Sequence, residues 1–315
     1  MLKSLGIRVT RKCNSRCLIC HLWKEQATGR EVSASQYKKL FSQPEFQEVE
    51  EFFISGGEAF LRKDIEQIIK TILRSIPKVT KFLLTTNGTS PLKAAELFKK
   101  LNKNQQIKTL RLAVSLEGDR VTNKKIRGID SYNSALLTLK LCRAAAPRLQ
   151  TVILTTLTHL NCNRRSLNHI KKIAVQTGSA FSFRPFYNSV YHYNHEKRLE
   201  FSGKQKALVV DFIKNCGSDD PFLKAQGEYL KTGKMPLMDK CLAGNIFADV
   251  RPDGSVYPCF NSTREIGNVA KGVYVKKIKD LGQHEQCPCC DEACFHPMFC
   301  WPPKTIKNNF SRIGN

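Results

Sequence analysis

Three cysteines near the start of the chain, Cys13, Cys17 and Cys20, form a CxxxCxxC motif directly after an apolar run at residues 5–9. Thiols at this spacing, on a loop that leaves a strand, can bind three corners of one metal cluster. A 4Fe-4S cube has four irons, so three protein thiolates leave one iron open to another ligand. Structural zinc instead takes four protein ligands in a closed tetrahedron. The motif therefore favours a reactive cluster over a structural metal.

Four further motifs follow along the chain at spacings that strand–helix units would give. In order they are Ser55-Gly56-Gly57-Glu58, Thr85-Thr86-Asn87-Gly88, Ser115-Leu116-Glu117-Gly118 and Ile126-Arg127-Gly128. The paired glycines allow the backbone to pass close to a ligand, because no Cβ stands in the way. An ordinary strand-to-helix turn is the alternative interpretation of that segment.

Taken together, these motifs resemble the radical S-adenosylmethionine (radical SAM) superfamily, above all its branch with a C-terminal SPASM or twitch extension. The resemblance implies a 4Fe-4S cluster on Cys13, Cys17 and Cys20, whose fourth iron binds the amino and carboxylate groups of SAM. It also implies that the later motifs bind the cofactor, through Gly56, Gly57, Glu58, Thr86, Asn87, Ser115, Glu117 and Arg127.

The chain departs from the family pattern at two positions. Ala59 stands where proline is usual, which lowers the rigidity of the loop but leaves its backbone contacts available. Glu117 stands where aspartate is more common, so the carboxylate lies one methylene further out. Arg127 resembles the basic residue that holds the SAM carboxylate or braces the loop, and a surface salt bridge is the alternative.

The pattern of apolar runs predicts an α/β fold with six strands. These fall at residues 5–10, 51–54, 81–86, 110–116, 151–157 and 180–185, and helical patterns separate them. This alternation predicts a partial (β/α)6 TIM-like barrel over residues 1–232, as the resemblance also implies. In such barrels the chemistry lies at the C-terminal edge of the strands, where the motifs fall.

The loop after the sixth strand carries tyrosines and histidines at residues 187–195. We expect these residues to face the cavity, where His192 or His195 could contact a substrate. Loop histidines are also common on plain protein surfaces, so that alternative stays open.

The last part of the chain, residues 233–303, is rich in cysteine and predicts a small β-hairpin and helix domain. The turn Pro252-Asp253-Gly254 joins two short strands. The segment resembles a twitch domain, which implies an auxiliary 4Fe-4S cluster on Cys241, Cys259, Cys287 and Cys290. Three other thiols (Cys289, Cys294 and Cys300) are alternatives for the last two ligands, and structural zinc is a further alternative. We expect residues 304–315 to form a disordered basic tail.

The composition of the chain indicates where the protein works and what kind of partner it binds. Thirteen cysteines indicate metal binding in a reducing compartment rather than a disulfide framework. No run approaches the roughly 18 apolar residues of a membrane span, and no secretory signal precedes the first strand, so we expect a cytoplasmic protein. The formal charge of +24 favours an acidic partner such as a peptide, nucleotide, phosphorylated sugar or RNA, with a solvated lysine-rich surface as the alternative.

The resemblance implies an oxidoreductase-like radical reaction. A donor such as flavodoxin or ferredoxin would reduce the cluster, which would cleave SAM to a 5′-deoxyadenosyl radical. That radical would abstract hydrogen from an anionic peptide or small biosynthetic intermediate, and the auxiliary cluster would assist a net oxidation or rearrangement. Because the first strand begins by residue 5, we expect no leader-peptide domain, which weakens the peptide hypothesis. Two alternatives stay open: modification of RNA or a nucleotide, and a basic zinc or iron-sulfur module that binds nucleic acid.

Overall fold

Six parallel strands, each followed by a helical connection, form the body of the protein. The computed structural model describes residues 2–24, 31–188, 192–194, 198–218, 221–233 and 243–269. The six strands are β1 (Ser4–Arg8), β2 (Glu51–Ser55), β3 (Lys81–Thr86), β4 (Thr109–Ser115), β5 (Leu149–Leu157) and β6 (Ala180–Pro185). Their order in the sheet is the order in the chain, and all neighbouring pairs are parallel. The predicted α/β fold with (β/α)6 alternation is confirmed.

Helices cover the outer face of this sheet. They are α1 (Ala34–Phe41), α2 (Ile65–Ser75), α3 (Pro91–Asn102), α4 (Arg120–Arg127), α5 (Tyr132–Ala145), α6 (Arg164–Thr177), α7 (Gly203–Asn215) and α8 (Pro221–Thr232). The starts of α1 and α6 follow from their caps: Ser33 accepts from the Gln36 backbone N–H, and Asn163 from that of Ser166. No helix in the described ranges is long and apolar enough to cross a membrane.

The core lies between the sheet and these helices. The apolar face of α2, with Ile65, Ile68, Ile69 and Ile72, is buried against it, as the helical spacing of these residues predicts. Three solitary cysteines, Cys142, Cys162 and Cys216, are buried and form no disulfide, so they pack as small apolar residues.

Two elements near the motifs differ from the prediction. Strand β1 ends at Arg8 rather than at residue 10, and beyond it the backbone of Val9 and Thr10 makes single hydrogen bonds to Ser55 at the end of β2 and to Gly57 after it. Helix α4 was not predicted at all. It has only eight residues and is strongly polar, so it lacks the apolar periodicity by which helices are found in a sequence.

The C-terminal hairpin continues the barrel sheet. Strand β7 (Phe247–Val250) pairs in parallel with β1, and β8 (Ser255–Tyr257) and β9 (Gly267–Asn268) follow in antiparallel order. The predicted turn joins β7 to β8, with Gly254 at a φ of 85°. Cys259 is buried after β8. The other predicted ligands of the auxiliary cluster, Cys241, Cys287 and Cys290, and the predicted tail, lie outside the described residues.

A buried ion pair joins the hairpin to the barrel. The Arg8 Nε atom donates to Asp249 Oδ1 over 3.0 Å, and their side chains are 10% and 0% exposed. Gly6, opposite Asp249 in the ladder, makes room for the carboxylate: a Cβ on Gly6 would lie 2.6 Å from Asp249 Oδ1. The ion pair therefore fixes both the register and the side-chain packing between β1 and β7.

Removal of this carboxylate tests how strongly the hairpin depends on the pair. We expect Asp249→Ala to lower the free energy of unfolding by about 3–5 kcal/mol, because it removes the carboxylate that accepts from the buried Arg8 guanidinium group. The matched control is Asp211→Ala, which removes the exposed Arg164–Asp211 pair and should cost less than about 1 kcal/mol. Urea unfolding measures both, and equal losses in the two variants would contradict the interpretation.

Candidate active site

The loop that carries Cys13, Cys17 and Cys20 is docked on one side against the glycine pair after β2. The Gly57 N–H donates to the Thr10 carbonyl over 2.7 Å, and the Glu58 N–H donates to the Lys12 carbonyl over 2.8 Å. A Cβ on Gly57 would lie 2.2 Å from the Lys12 carbonyl oxygen. Glycine is therefore required here by the close approach of two backbones.

On its other side the loop is docked against the end of α4. The Arg16 N–H donates to the Arg127 carbonyl over 3.0 Å, and the Leu18 N–H donates to the Ile126 carbonyl over 2.8 Å. Gly128 ends α4 at a φ of 69°, and a Cβ there would lie 2.3 Å from the Arg16 carbonyl oxygen. The unpredicted helix is thus one of the two supports of the cysteine loop.

The three thiols line one cavity of about 200 Å³ at the C-terminal edge of the strands. Nine of the residues predicted to hold the cluster or the cofactor line it: Cys13, Cys17, Cys20, Gly56, Gly57, Thr86, Asn87, Ser115 and Arg127. Residues that lie more than 100 positions apart in the chain therefore meet in one site. Strand order accounts for this, because the carboxyl ends of parallel strands share one edge of the sheet.

The surroundings of the three thiol groups are compatible with a metal cluster that binds them as thiolates. Burial raises the pKa of all three thiols, that of Cys20 to about 12, while the nearby Arg127 charge lowers it. Ligation therefore has to be coupled to loss of protons, which a cluster of iron ions drives. No group of three His, Cys, Asp or Glu side chains in the described ranges is arranged for a single metal ion. In a 4Fe-4S cube each thiolate would bind a separate iron.

Glu58 turns away from the cavity and is fully buried. Its carboxylate accepts from the Asn87 N–H at 2.7 Å, the Thr86 hydroxyl at 2.8 Å and the Phe60 N–H at 3.2 Å. The Asn87 amide group in turn donates to Asn14 Oδ1 at 2.8 Å and to the Ser15 hydroxyl at 2.9 Å. We therefore interpret Glu58 as a brace that positions Asn87 against the cysteine loop.

Glu117 is also turned inward, beneath Arg127. It accepts from the Thr156 N–H at 2.8 Å and pairs with Arg127 Nη1 at 3.4 Å. Burial raises the pKa of Glu117 to about 6 against the opposing effect of Arg127. Arg127 lines the cavity, and its enclosed Nε atom has no hydrogen-bond partner. Direct cofactor contacts of Glu58 and Glu117 stay predictions.

Other cavity residues were missed by the sequence analysis. Arg8 and Arg184 line the cavity, together with Trp23, Phe53 and Phe260. An arginine at the end of a strand carries no sequence signal that separates it from a surface residue. The predicted aromatic loop does reach the cavity, through Tyr187 and His192. His195 lies outside the described residues.

The fold and the site define an α/β partial barrel with an open three-thiol site at its mouth. Residues 7–169 match the model of the radical SAM superfamily, which is just over half of the 315-residue chain. The chain belongs to the radical SAM superfamily.

Several relatives in sequence carry the name probable GTP 3′,8-cyclase. That of Methanocella arvoryzae is 30% identical over 146 residues, which is 44% of this chain and 45% of the relative. That of Pyrobaculum aerophilum is 30% identical over 188 residues, 58% of this chain and 57% of the relative. The chain thus spans about half the length of the curated relatives it matches.

Solved structures share the fold across most of the chain. Native anSMEcpe with bound AdoMet has a TM-score of 0.65 at 18% identity, covering 88% of this chain and 80% of that one. SuiB of Streptococcus suis bound to the precursor peptide SuiA has a TM-score of 0.65 at 15% identity, covering 89% and 66%. At these identities the similarity establishes the fold alone.

Substitution of Gly57 tests the docking of the cysteine loop. We expect Gly57→Ala to displace the loop backbone, to destabilise the protein by about 1–3 kcal/mol, and to reduce iron uptake on anaerobic reconstitution. Gly203→Ala is the matched control, because a Cβ on Gly203 would meet nothing within 4 Å. Iron and protein assays on both variants check the prediction. Normal iron uptake by Gly57→Ala would contradict it.

The N-cap of α4 provides a pH-dependent test. Asp119 accepts from the Thr122 N–H at 2.9 Å, and this hydrogen bond lowers the pKa of the carboxyl group. Its stabilising effect is therefore present at neutral pH and is lost as the pH falls through the lowered pKa. We expect Asp119→Ala to cost about 1 kcal/mol of unfolding free energy at pH 7, with the difference disappearing once the pH falls below the lowered pKa of Asp119.

Asp119→Asn serves as the control, because its amide oxygen can still cap the helix without titrating. Urea unfolding at several pH values compares the three proteins. A difference between wild type and Asp119→Ala that does not change with pH would contradict this account.

Proposed function

We propose that this protein binds a 4Fe-4S cluster through Cys13, Cys17 and Cys20, binds SAM beside it, and abstracts a hydrogen atom from an anionic organic substrate. The observation that carries the proposal is the shared cavity, in which the three thiols, the glycine pair and Arg127 face one another. When bound, the reduced cluster and SAM together supply a 5′-deoxyadenosyl radical. The chain's own residues bind, orient and shield these reactants.

Arg127 is our candidate for the SAM carboxylate. Its guanidinium group lines the cavity, and Glu117 holds it from beneath while leaving Nε without a partner. A planar guanidinium group suits a carboxylate because it can donate two parallel hydrogen bonds. Gly56 and Gly57 line the same cavity, where backbone carbonyl groups can accept from an ammonium group.

Apolar walls complete the site. Ile19, Leu22, Phe53, Leu83 and Phe186 line the cavity between its polar groups. Such walls exclude water, which protects a reactive organic radical from side reactions. The site thus combines a few placed polar groups with a mostly apolar surround, as ligand sites do.

Two observations support a proposal for the substrate class. The chain has a formal charge of +24, which favours an anion, and several relatives in sequence are named as probable GTP 3′,8-cyclases. We therefore propose a small anionic intermediate or peptide as the substrate class and give a nucleotide particular weight as the second candidate. Cytoplasmic location, a flavodoxin or ferredoxin donor and an auxiliary cluster that includes Cys259 are further parts of this proposal.

Cleavage of SAM by the reconstituted protein tests the proposal without knowledge of the substrate. We expect wild type with dithionite and SAM under anaerobic conditions to form 5′-deoxyadenosine. Replacement of Cys13, Cys17 and Cys20 by alanine should abolish this product and remove about four irons per chain. Chromatography of the nucleosides and an iron assay measure the two effects.

The matched control replaces Cys142 and Cys162, two buried cysteines that do not line the cavity, by alanine. This control should retain both iron and product. A wild-type protein that takes up zinc without iron would contradict the proposal and favour a nucleic-acid-binding module. In that case binding of tRNA should weaken steeply as the salt concentration rises.

A further inference from the structure

The cavity has a second basic wall that the SAM site does not use. Arg8 at the end of β1 and Arg184 near the end of β6 line it together with Tyr187 and His192. The two guanidinium groups lie close enough for the charge of Arg8 to lower the pKa of Arg184, in addition to the larger effect of burial. This wall therefore concentrates positive charge at one place in the barrel mouth.

Arg8 is compensated within the protein. Its Nε atom is paired with Asp249 at 3.0 Å, and its guanidinium carbon lies 5.4 Å from the ring centroids of both Phe53 and Phe260. An ion pair and two aromatic faces hold this side chain in a fixed position. We therefore assign it a structural role in shaping the wall.

Arg184 is not compensated in this way. No ion pair to Arg184 is found within the described part of the chain, and its Nε atom is buried without a hydrogen-bond acceptor. The neighbouring His192 is not a counterion, because an imidazole is either neutral or positively charged; burial and the charges of Arg8 and Arg184 lower its pKa to about 3, so it adds no positive charge at pH 7. A guanidinium group whose Nε atom is buried without an acceptor is costly unless a ligand supplies one.

We propose that Arg184 binds an oxyanion of the substrate, a carboxylate or a phosphate, at the wall of the cavity formed by Arg8, Tyr187 and His192. This inference rests on the proposed function and names the group by which the substrate is held. Among the described residues of the site, Arg184 carries the one positive charge without a counterion. A single anionic group of the substrate would neutralise it. The two arginines then have different ligands: Arg127 binds SAM, and Arg184 binds the substrate and orients it toward SAM.

Calorimetric titration of the reconstituted, SAM-loaded protein tests this assignment. The probes are inorganic pyrophosphate for the phosphate class and glutarate for the carboxylate class, so the two arms distinguish the source of the oxyanion. We expect wild type to bind one of them and Arg184→Gln to bind it about 10- to 100-fold more weakly, because charge-assisted hydrogen bonds are lost. Arg184→Lys should lose less affinity for pyrophosphate than Arg184→Gln, because it keeps the charge without the planar fork.

Arg120→Gln is the matched control, because it removes an arginine that is 60% exposed and paired with Asp130 outside the cavity. It should bind the probe as wild type does. Failure of wild type to bind either probe, or equal affinity in wild type and Arg184→Gln, would overturn the inference.

A second variant keeps the test decisive if Arg184→Gln folds poorly. Arg184→Met keeps the length of the side chain and removes the buried charge, so we expect the ligand-free protein to melt at least about 2 °C higher than wild type. A structural arginine would give a lower melting temperature, which would overturn the inference. Failure of the proposed function is separate: it would appear as wild-type protein that binds the probe but forms no 5′-deoxyadenosine.

Discussion

The site depends on backbone docking of one loop between two glycine positions. The loop that carries the thiols hydrogen-bonds to the Gly57 and Glu58 N–H groups on one side and to the carbonyl groups at the end of α4 on the other. Both contacts leave no room for a Cβ on Gly57 or Gly128. Because these hydrogen bonds are made by the main chain, they do not depend on the identity of the loop side chains. They fix the backbone of the loop and therefore the relative positions of the three cysteines.

Two buried carboxylates connect the cysteine loop and its neighbours to further strand ends. Glu58 holds the turn after β3, from which Asn87 reaches the cysteine loop, and Glu117 holds Arg127 against the cavity while accepting from the backbone of β5. Each carboxylate links two strand ends, so a small movement at one motif would be transmitted to the next. This arrangement gives a physical reason for acidic residues in motifs whose side chains turn away from the ligand cavity.

The sequence was informative where chemistry demands particular residue types. Three thiols at a fixed spacing suit a metal cluster, paired glycines after a strand suit a close backbone approach, and all of these residues line the cavity. The direction of the Glu58 and Glu117 side chains could not be predicted from the sequence. A motif shows that a residue follows the end of a strand, but it does not show the hydrogen bonds that turn the side chain away from the cavity. Helix α4 was not predicted, because its sequence is mostly polar and has no apolar residues at helical spacing.

Long-range pairing was the other limit of sequence reasoning. The hairpin turn at Gly254 was predicted, yet the parallel pairing of β7 with β1 and the Arg8–Asp249 ion pair join residues 241 positions apart. Nothing local marks such a contact. For the same reason Arg184 could not be separated from the many basic residues of this chain until the strand order placed it in the cavity wall.

The central claim is that three protein thiolates leave one iron open for SAM at this cavity. Electron paramagnetic resonance of the reduced, reconstituted protein tests it directly, because ligands of the cluster set its magnetic parameters. Addition of SAM should change the spectrum of the cluster held by Cys13, Cys17 and Cys20, and isotopic labelling of the SAM carboxylate or amino group should produce hyperfine coupling to it. A spectrum that SAM leaves unchanged would contradict the account.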